Sequence, residues 1–406
     1  MPLRVNADRL NQSLADLARI GAIDGGGVCR LAFTDEDKAG RDFVEARMRA
    51  LGLEVRIDAI GNLVGIRPGR EEGPIVMTGS HLDTVGRGGR YDGALGVLAG
   101  LEVLATLQEA GITTRRPLAV AAFVNEEGNR FTPDVMGSLF FRGDLDLDAV
   151  RATVGIDGTT LGDNLDRTGM AGPDDFRDLP LRAFVELHIE QGPVLEEDGV
   201  TIGVVDGVQG ILWHEFRVQG ASNHAGVTPM DRRQDAGFVA AAIAAQVRHL
   251  ARSIRGQRAT VGTLEVEPGY INIIPDRARL TADLRNPDAV RLREMAVRLL
   301  GFAQEVAAAE GVVLEHRELA HIPPVRFDEE VVAAIEQAAE ACGYTHRRMT
   351  SGAGHDAQIL AVRCPTAMLF VPSVGGVSHD VTEYTRPEDV AAGANVLLHT
   401  IRTLAA

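Results

Sequence analysis

Five side chains of metal-ligand type, His81, Asp92, Glu127, His188 and His379, each stand just past an apolar run or in the loop that follows one. The runs are short, apolar and partly β-branched, which reads as buried strand. Residues 74–80 end at His81-Leu82-Asp83, and 118–124 lead to Asn125-Glu126-Glu127-Gly128. Residues 183–187 lead to His188-Ile189-Glu190-Gln191-Gly192, and 366–371 lead to the loop that ends in Ser378-His379. Ligands of an open α/β sheet bind in the crevice outside the carboxyl ends of its strands, so four strands delivering such residues to the same kind of end imply one shared site.

Five ligands exceed what a tetrahedral zinc accepts, and a catalytic zinc usually takes three protein ligands. One bridging carboxylate lets five residues give each of two ions three, and Asp92 is the natural bridge. Imidazole mixed with carboxylate suits Zn²⁺ first, with Mn²⁺, Co²⁺ or Ni²⁺ as alternatives, so two divalent ions per subunit are expected. A pair of ions ~3.5–4 Å apart can hold a hydroxide between them and polarise a carbonyl, which is the chemistry of metal-assisted hydrolysis. Glu126 and Glu127 are adjacent, so at a strand end their side chains diverge. Glu127 is assigned to metal and Glu126 to general base and acid, moving a proton from the attacking hydroxide's water to the leaving nitrogen. The carboxylate of Asp83, two residues past His81, is expected to orient that imidazole.

Taken singly, each of these residues has an ordinary reading. Glutamates on loops are mostly solvated, and a lone histidine is usually structural or superficial. That reading is given to His214, His249, His316, His321 and His346. The glycines at 86, 88, 89 and 93 form no dinucleotide fingerprint, and no Walker-type phosphate loop is present. The case for a site rests on the joint pattern.

The elements that position it fall into two groups. The 406 residues, 45% hydrophobic, suffice for two domains. Helical and strand patterns alternate in the first half, giving an α/β sheet domain with helices on both faces. Thr34 with Asp37 starts a helix that Gly52 stops, a strand covers 53–57, and 93–107 form a close-packed helix with Gly96 and Gly100 four apart. From about 208 the order becomes strand 213–218, helix 236–254, strands 259–266 and 278–284, helix 289–309 and strand 312–316, a complete ferredoxin-like α+β unit. It is inserted, because the run before His379 follows it. The expected division is a metal-binding domain over 1–207 and 321–406 around an inserted domain over 208–320.

The net charge of -16 argues against nucleic-acid and anionic-membrane partners. Cys29, Cys342 and Cys364 form no C-x-x-C pair, which fits buried structural thiols in a reducing compartment. Charged residues interrupt the leucines of 1–20, leaving no signal-peptide core, and no apolar run approaches the ~20 residues of a membrane span. A cytoplasmic enzyme is expected.

Read together, Gly79-Ser80-His81-Leu82-Asp83-Thr84-Val85, Gly88-Gly89-Arg90-Tyr91-Asp92-Gly93, Asn125-Glu126-Glu127-Gly128, Glu186-Leu187-His188-Ile189-Glu190-Gln191-Gly192 and Gly376-Val377-Ser378-His379 carry a resemblance that runs nearly end to end. The chain resembles the ureidohydrolase branch of the M20 metallopeptidase family: N-carbamoyl-L-amino acid hydrolases, allantoate amidohydrolases and β-ureidopropionases. The resemblance implies that His81, Asp92 and His188 hold one ion while Asp92, Glu127 and His379 hold the other. It implies that the inserted domain forms a homodimer and acts as a lid. Peptidase-type relatives carry a carboxylate where this chain has His188, which favours a ureido substrate. It further implies that Gln191, Gln209, His224, Asn272 and Arg285 contact a small ureido acid, with Gly354 offering backbone. Arg285 would meet the substrate carboxylate with a bidentate fork, and His224 would stabilise the developing oxyanion. Arg285 in a plain surface ion pair is the ordinary alternative. Asn129 departs from the serine that many relatives carry. The expected activity is hydrolysis of an N-carbamoyl-L-amino acid to ammonia and carbon dioxide, with allantoate, then an aminoacylase or dipeptidase substrate, then a non-catalytic metal-bound scaffold, as rivals.

Overall fold

The computed structural model describes residues 3–406, so Met1 and Pro2 of the stretch read for a leader lie outside the described residues. Two compact units emerge, one running to Gly207 and resuming at Arg326–Ala406, the other Val208–Val325. The first contains β1 (Glu54–Ile57), β2 (Leu63–Arg67), β3 (Ile75–His81), β4 (Leu118–Phe123), β5 (Leu181–Ile189) and β6 (Ile202–Val208). The second contains β7 (Gly210–Gln219), β8 (Arg258–Glu267), β9 (Arg277–Asn286) and β10 (Val313–Ile322). The chain closes with β11 (Val325–Arg326), β12 (His346–Ser351) and β13 (Thr366–Val371).

In the first unit the sheet order is β1-β2-β4-β3-β5-β13-β6-β11, with β12 paired to β6. The central strands β4, β3, β5 and β13 are mutually parallel, so their carboxyl ends share one edge. From β3 the chain crosses over to β4 on one side, while β5 lies on the other, which makes the end of β3 a topological switch point. Every residue of β3, β4 and β13 is buried. Two covered faces explain why these segments read as continuous apolar runs.

Small residues let the covering helices approach. On the helix Ala94–Glu109, a Cβ added at Gly96 would lie 2.5 Å from the Leu187 carbonyl oxygen, and one at Gly100 would lie 3.0 Å from Thr78. On the helix Pro387–Leu404, Gly393 meets Val371 and Leu187 in the same way. The opposite face is filled by Phe123, which meets Phe141 and Phe184 edge to face at 5.5 and 6.1 Å. The helix Asp35–Ala50 begins where Thr34 accepts from the Asp37 N–H, while Asp37 accepts from the Phe33 N–H, and Gly52 ends it at a φ of 71°.

In the second unit all pairings are antiparallel in the order β10-β7-β9-β8, the ferredoxin-like arrangement. Leu212, Phe216, Ile243, Val247, Leu280, Leu284 and Leu299 build its core. β10 stays paired with β7 as far as Ile322 opposite Ile211, so the unit extends to Val325, past the 320 read from sequence. Among the described residues, no helix is long and apolar enough to cross a membrane.

Candidate metal centre

The four parallel strands bring the five expected ligands together. His81 is the last residue of β3, and His188 sits next to last in β5. Asp92 precedes the helix Ala94–Glu109, Glu127 lies in the loop after β4, and His379 lies in the loop after β13. The two oxygens of Asp92 face different partners. Its Oδ1 is 3.5 Å from His81 Nε2 and 3.0 Å from His188 Nε2, and its Oδ2 is 3.4 Å from His379 Nε2. His379 Nε2 is also 3.4 Å from Glu127 Oε2. Two clusters therefore share one carboxylate, His81-Asp92-His188 and Asp92-Glu127-His379.

The tautomers of two imidazoles follow from their neighbours. His81 Nδ1 lies 2.9 Å from the Asp83 carbonyl oxygen, and His188 Nδ1 lies 2.9 Å from that of Ile189. A carbonyl only accepts, so each Nδ1 carries hydrogen and each Nε2 presents a lone pair when neutral. Lone pairs then face the oxygens of a buried carboxylate, an arrangement that requires positive charge between them. Burial pulls the His81 imidazole down, but the charge of Glu126 and the bond to Asp92 carry it well above its ordinary value. Burial also pushes Asp92 up, and His188 and the other rings override this and hold it well below the carboxylate range. Glu127, pushed to about 8 by burial and then by the charge of Asp92, has a buried Oε1 with no hydrogen-bond partner. A divalent cation satisfies all of these groups at once, so the residues present fit metal.

Glu126 stays outside both clusters. It is buried, its Oε2 lies 3.6 Å from His81 Nε2, and burial pushes its carboxyl well above the usual range. Asp83 requires a correction. Its backbone carbonyl, not its carboxylate, holds the His81 ring. The carboxylate instead accepts the N–H groups of Glu126 and Glu127, each at 3.2 Å, and so fixes the loop that aims both glutamates. The physical reason is reach: just past β3 the backbone turns the Asp83 carbonyl toward Nδ1, leaving the side chain to bind the loop after β4.

Asn125, Gln191 and His379 adopt left-handed backbone at φ of 51°, 57° and 56°, a cost that clusters where side chains must be aimed. The Gln191 amide donates to Asp92 Oδ2 at 2.9 Å, so it is engaged with the shared carboxylate. Gly354 lies in the loop after β12. Asn129 is exposed and donates to the Glu127 carbonyl at 3.2 Å, so its departure from serine leaves the clustered side chains untouched.

The remaining expected residues belong to the second unit. His224 is exposed, and its Nδ1 accepts the Gly226 N–H at 2.9 Å, which puts the ring hydrogen on Nε2 when neutral. The Ala225 N–H donates to the Asn272 carbonyl, pairing the two loops. Arg285 directs its Nε and one terminal nitrogen at Asp283, with Nη2 2.9 Å from Oδ2. Gln209, the single residue that separates β6 from β7 in the chain, is buried. Of the histidines read as ordinary, His214 and His316 pair with each other at 2.9 Å, His321 meets Arg293 at 3.3 Å and His249 is exposed.

Sequence reasoning missed several partners. His355 packs edge to face on His188 with centroids 4.6 Å apart, and Glu186, His188 and His355 form a third close group. Glu186 accepts from Ser80 Oγ at 2.6 Å and from the Ala357 N–H at 2.9 Å. Its signal was the period of two along β5, which puts Glu186 on the face of His188. Gly93, read only as the start of the helix over 93–107, has a further role: a Cβ there would lie 2.4 Å from the His81 ring, on backbone with a φ of 62°. Gly93→Ala should therefore lower metal affinity by ~10–100-fold, the usual range for a partner that orients a ligand. Metal content per chain after gel filtration reads this out, and unchanged content would mean that the loop shifts without moving His81.

The geometry agrees with likeness to known proteins. The chain is 40% identical to the N-carbamoyl-L-amino-acid amidohydrolase of Rhizobium meliloti over 98% of its own length and 96% of that protein's. It is also 40% identical to the N-carbamoyl-L-amino acid amidohydrolase of Geobacillus stearothermophilus, covering 99% of each chain. Its fold superposes on an amidase of the hydantoinase/carbamoylase family from Burkholderia multivorans with a TM-score of 0.95 and 43% identity, over 99% of this chain and 98% of that one. The profile of Peptidase family M20/M25/M40 matches residues 77–403, a span that takes in every residue of both shared-carboxylate clusters, and the chain belongs to that family.

Proposed function

We propose that the protein is a metal-dependent amidohydrolase that removes the carbamoyl group of an N-carbamoyl-L-amino acid, releasing the amino acid, ammonia and carbon dioxide. It is a hydrolase acting on linear amide C–N bonds. The observation that carries the reading is the division of Asp92 between two ligand clusters, with Glu126 buried beside them and belonging to neither. In this reading His81, Asp92 and His188 hold one divalent ion, and Asp92, Glu127 and His379 hold a second, with zinc the first choice. Bound ions would supply Lewis acidity, activating water and polarising the ureido carbonyl.

The chain's own residues do the rest. Glu126 takes a proton from the attacking water and returns it to the departing nitrogen, which leaves as a neutral amine. Asp83 keeps Glu126 and Glu127 aimed through their backbone N–H groups. Gln191 steadies Asp92 and, with Gln209, Asn272 and the backbone at Gly354, contributes substrate contacts. His224 donates from Nε2 to the oxygen on which charge develops, a role its Gly226 contact prepares.

Arg285 receives the substrate carboxylate. A guanidinium presents two parallel donors and an ammonium does not, so Arg285→Lys should reduce kcat/KM severely, mostly through KM. Steady-state rates check this, and near-normal values in the variant would leave Arg285 as the ion pair it makes with Asp283.

The second unit is proposed to pair two copies of the chain and to act as a lid. Val227, Met230, Tyr270 and Ile271, large apolar residues on the loops around His224 and Asn272, are exposed in this chain, which supports an interaction surface there. The net charge of -16 supports small-molecule substrates over nucleic acid. The proposed location is the cytoplasm.

The test of the reaction is a panel of N-carbamoyl-L-amino acids, allantoate, ureidoglycolate, β-ureidopropionate and a dipeptide, assayed with several divalent ions. The highest kcat/KM is expected on an N-carbamoyl-L-amino acid. Preference for the dipeptide would overturn the ureido assignment, and preference for allantoate would move it within the ureido class.

A further inference from the structure

Glu383, which the sequence reading did not single out, ties together the two segments that carry Asp92 and His379. It is 4% exposed. Its Oε1 accepts the backbone N–H groups of Tyr91 and Asp92, both at 3.2 Å, and its Oε2 accepts from Ser378 Oγ at 3.0 Å. Ser378 Oγ also lies 3.3 Å from Asp92 Oδ2. The approach is close along the backbone too, since a Cβ at Gly89 would fall 2.3 Å from Glu383 Oε1. Beside it, the rings of Tyr91 and Tyr384 meet edge to face with centroids 6.0 Å apart, and the Val374 N–H donates to the Tyr384 carbonyl at 2.8 Å.

The two clusters differ in what else holds them. His81 and His188 sit in paired strands with each Nδ1 anchored on a backbone carbonyl. His379 sits in a loop, on left-handed backbone, with its side chain 51% exposed. The contact of Glu383 with Ser378, the residue just before His379, links that loop to the Asp92 turn; the first cluster shares Asp92 but takes neither of its histidines from the loop.

We propose that Glu383 is a positioning residue for the second ion: it clamps the Ser378-His379 loop to the Tyr91-Asp92 turn and so governs affinity at Asp92-Glu127-His379, leaving His81-Asp92-His188 largely to itself. The inference rests on the two-ion reading above. Outer partners that orient ligands typically account for ~10–100-fold in metal affinity.

The experiment is calorimetric titration of the metal-free full chain with Co²⁺, with the visible absorbance of the bound ion recorded in parallel. The unaltered chain should take two ions. Glu383→Ala should weaken one of them by ~10–100-fold and the other, which shares only Asp92 with the loop, by a clearly smaller factor. Glu383→Gln should recover most of the loss, because its amide oxygen still accepts from Tyr91 and Asp92. Ser378→Ala cuts the link from the other side and should weaken the same ion. If Glu383→Ala fails to fold, Ser378→Ala decides: weakening confined to one ion supports the proposal, and equal weakening or none overturns it. Two ions bound with unchanged affinity in both variants would remove Glu383 from this role and leave the two-ion reading standing. A single ion in the unaltered chain would overturn that reading, and the proposal with it.

Discussion

Glu126→Gln is expected to keep its full metal complement and lose turnover by ~10²–10⁴-fold, the usual worth of a positioned proton-transfer group. The expectation follows from placement. Glu126 belongs to neither cluster, and its Oε2 lies 3.6 Å from His81 Nε2. Its backbone N–H is held by Asp83, a bond the substitution does not touch. The amide is close in size to the carboxyl and cannot accept and return a proton at neutral pH. Metal analysis and steady-state rates on the same preparation check both halves. If metal is lost in proportion to rate, Glu126 is a ligand and its role has been confused with that of Glu127.

The second large effect concerns assembly. If each site takes His224 from the neighbouring subunit, Glu126→Gln chains and His224→Ala chains should each be nearly inactive as homodimers and regain activity when mixed. In a two-fold heterodimer one site then has both residues intact and the other has neither, so random reassociation restores about a quarter of the sites. If His224 served its own chain, every site would carry one lesion. Heterodimers isolated with two affinity tags and showing no more activity than either parent would leave His224 a same-chain or structural residue.

Much of this was legible because the central strands are parallel and buried on both faces. Such strands appear in sequence as short apolar runs, and their ends fall where the apolar residues stop. His81, Glu127, His188 and His379 could be placed on that basis. The strands outside the parallel four were harder: β2, β6, β11 and β12 are short or mixed in character, and the pairing that makes them strands is not local. β10 was read as ending near His316, yet pairing with β7 carries it to Ile322 across a break in register at Glu318 to Ala320.

At the site, residue type and spacing identified groups that reach Asp92 but not the groups that aim them. Asp83 was credited with holding His81 through its carboxylate, because sequence cannot tell that the carbonyl of the same residue is nearer. Glu383 lies 291 residues from Asp92, and only the folded chain puts its carboxylate against that turn. Gly93 shows the same limit, since nothing local to it reveals that an imidazole occupies the space where a Cβ would stand.

The most direct test of the account is a crystal structure of the metal-loaded protein with anomalous data collected on both sides of the zinc absorption edge. Two peaks are predicted ~3.5–4 Å apart, one on either side of the Asp92 carboxylate. The first should be ligated by His81 and His188 and the second by Glu127 and His379. A single peak, or a peak centred on Glu186, His188 and His355 with Asp92 unligated, would contradict the shared-carboxylate site and the hydrolytic role built on it.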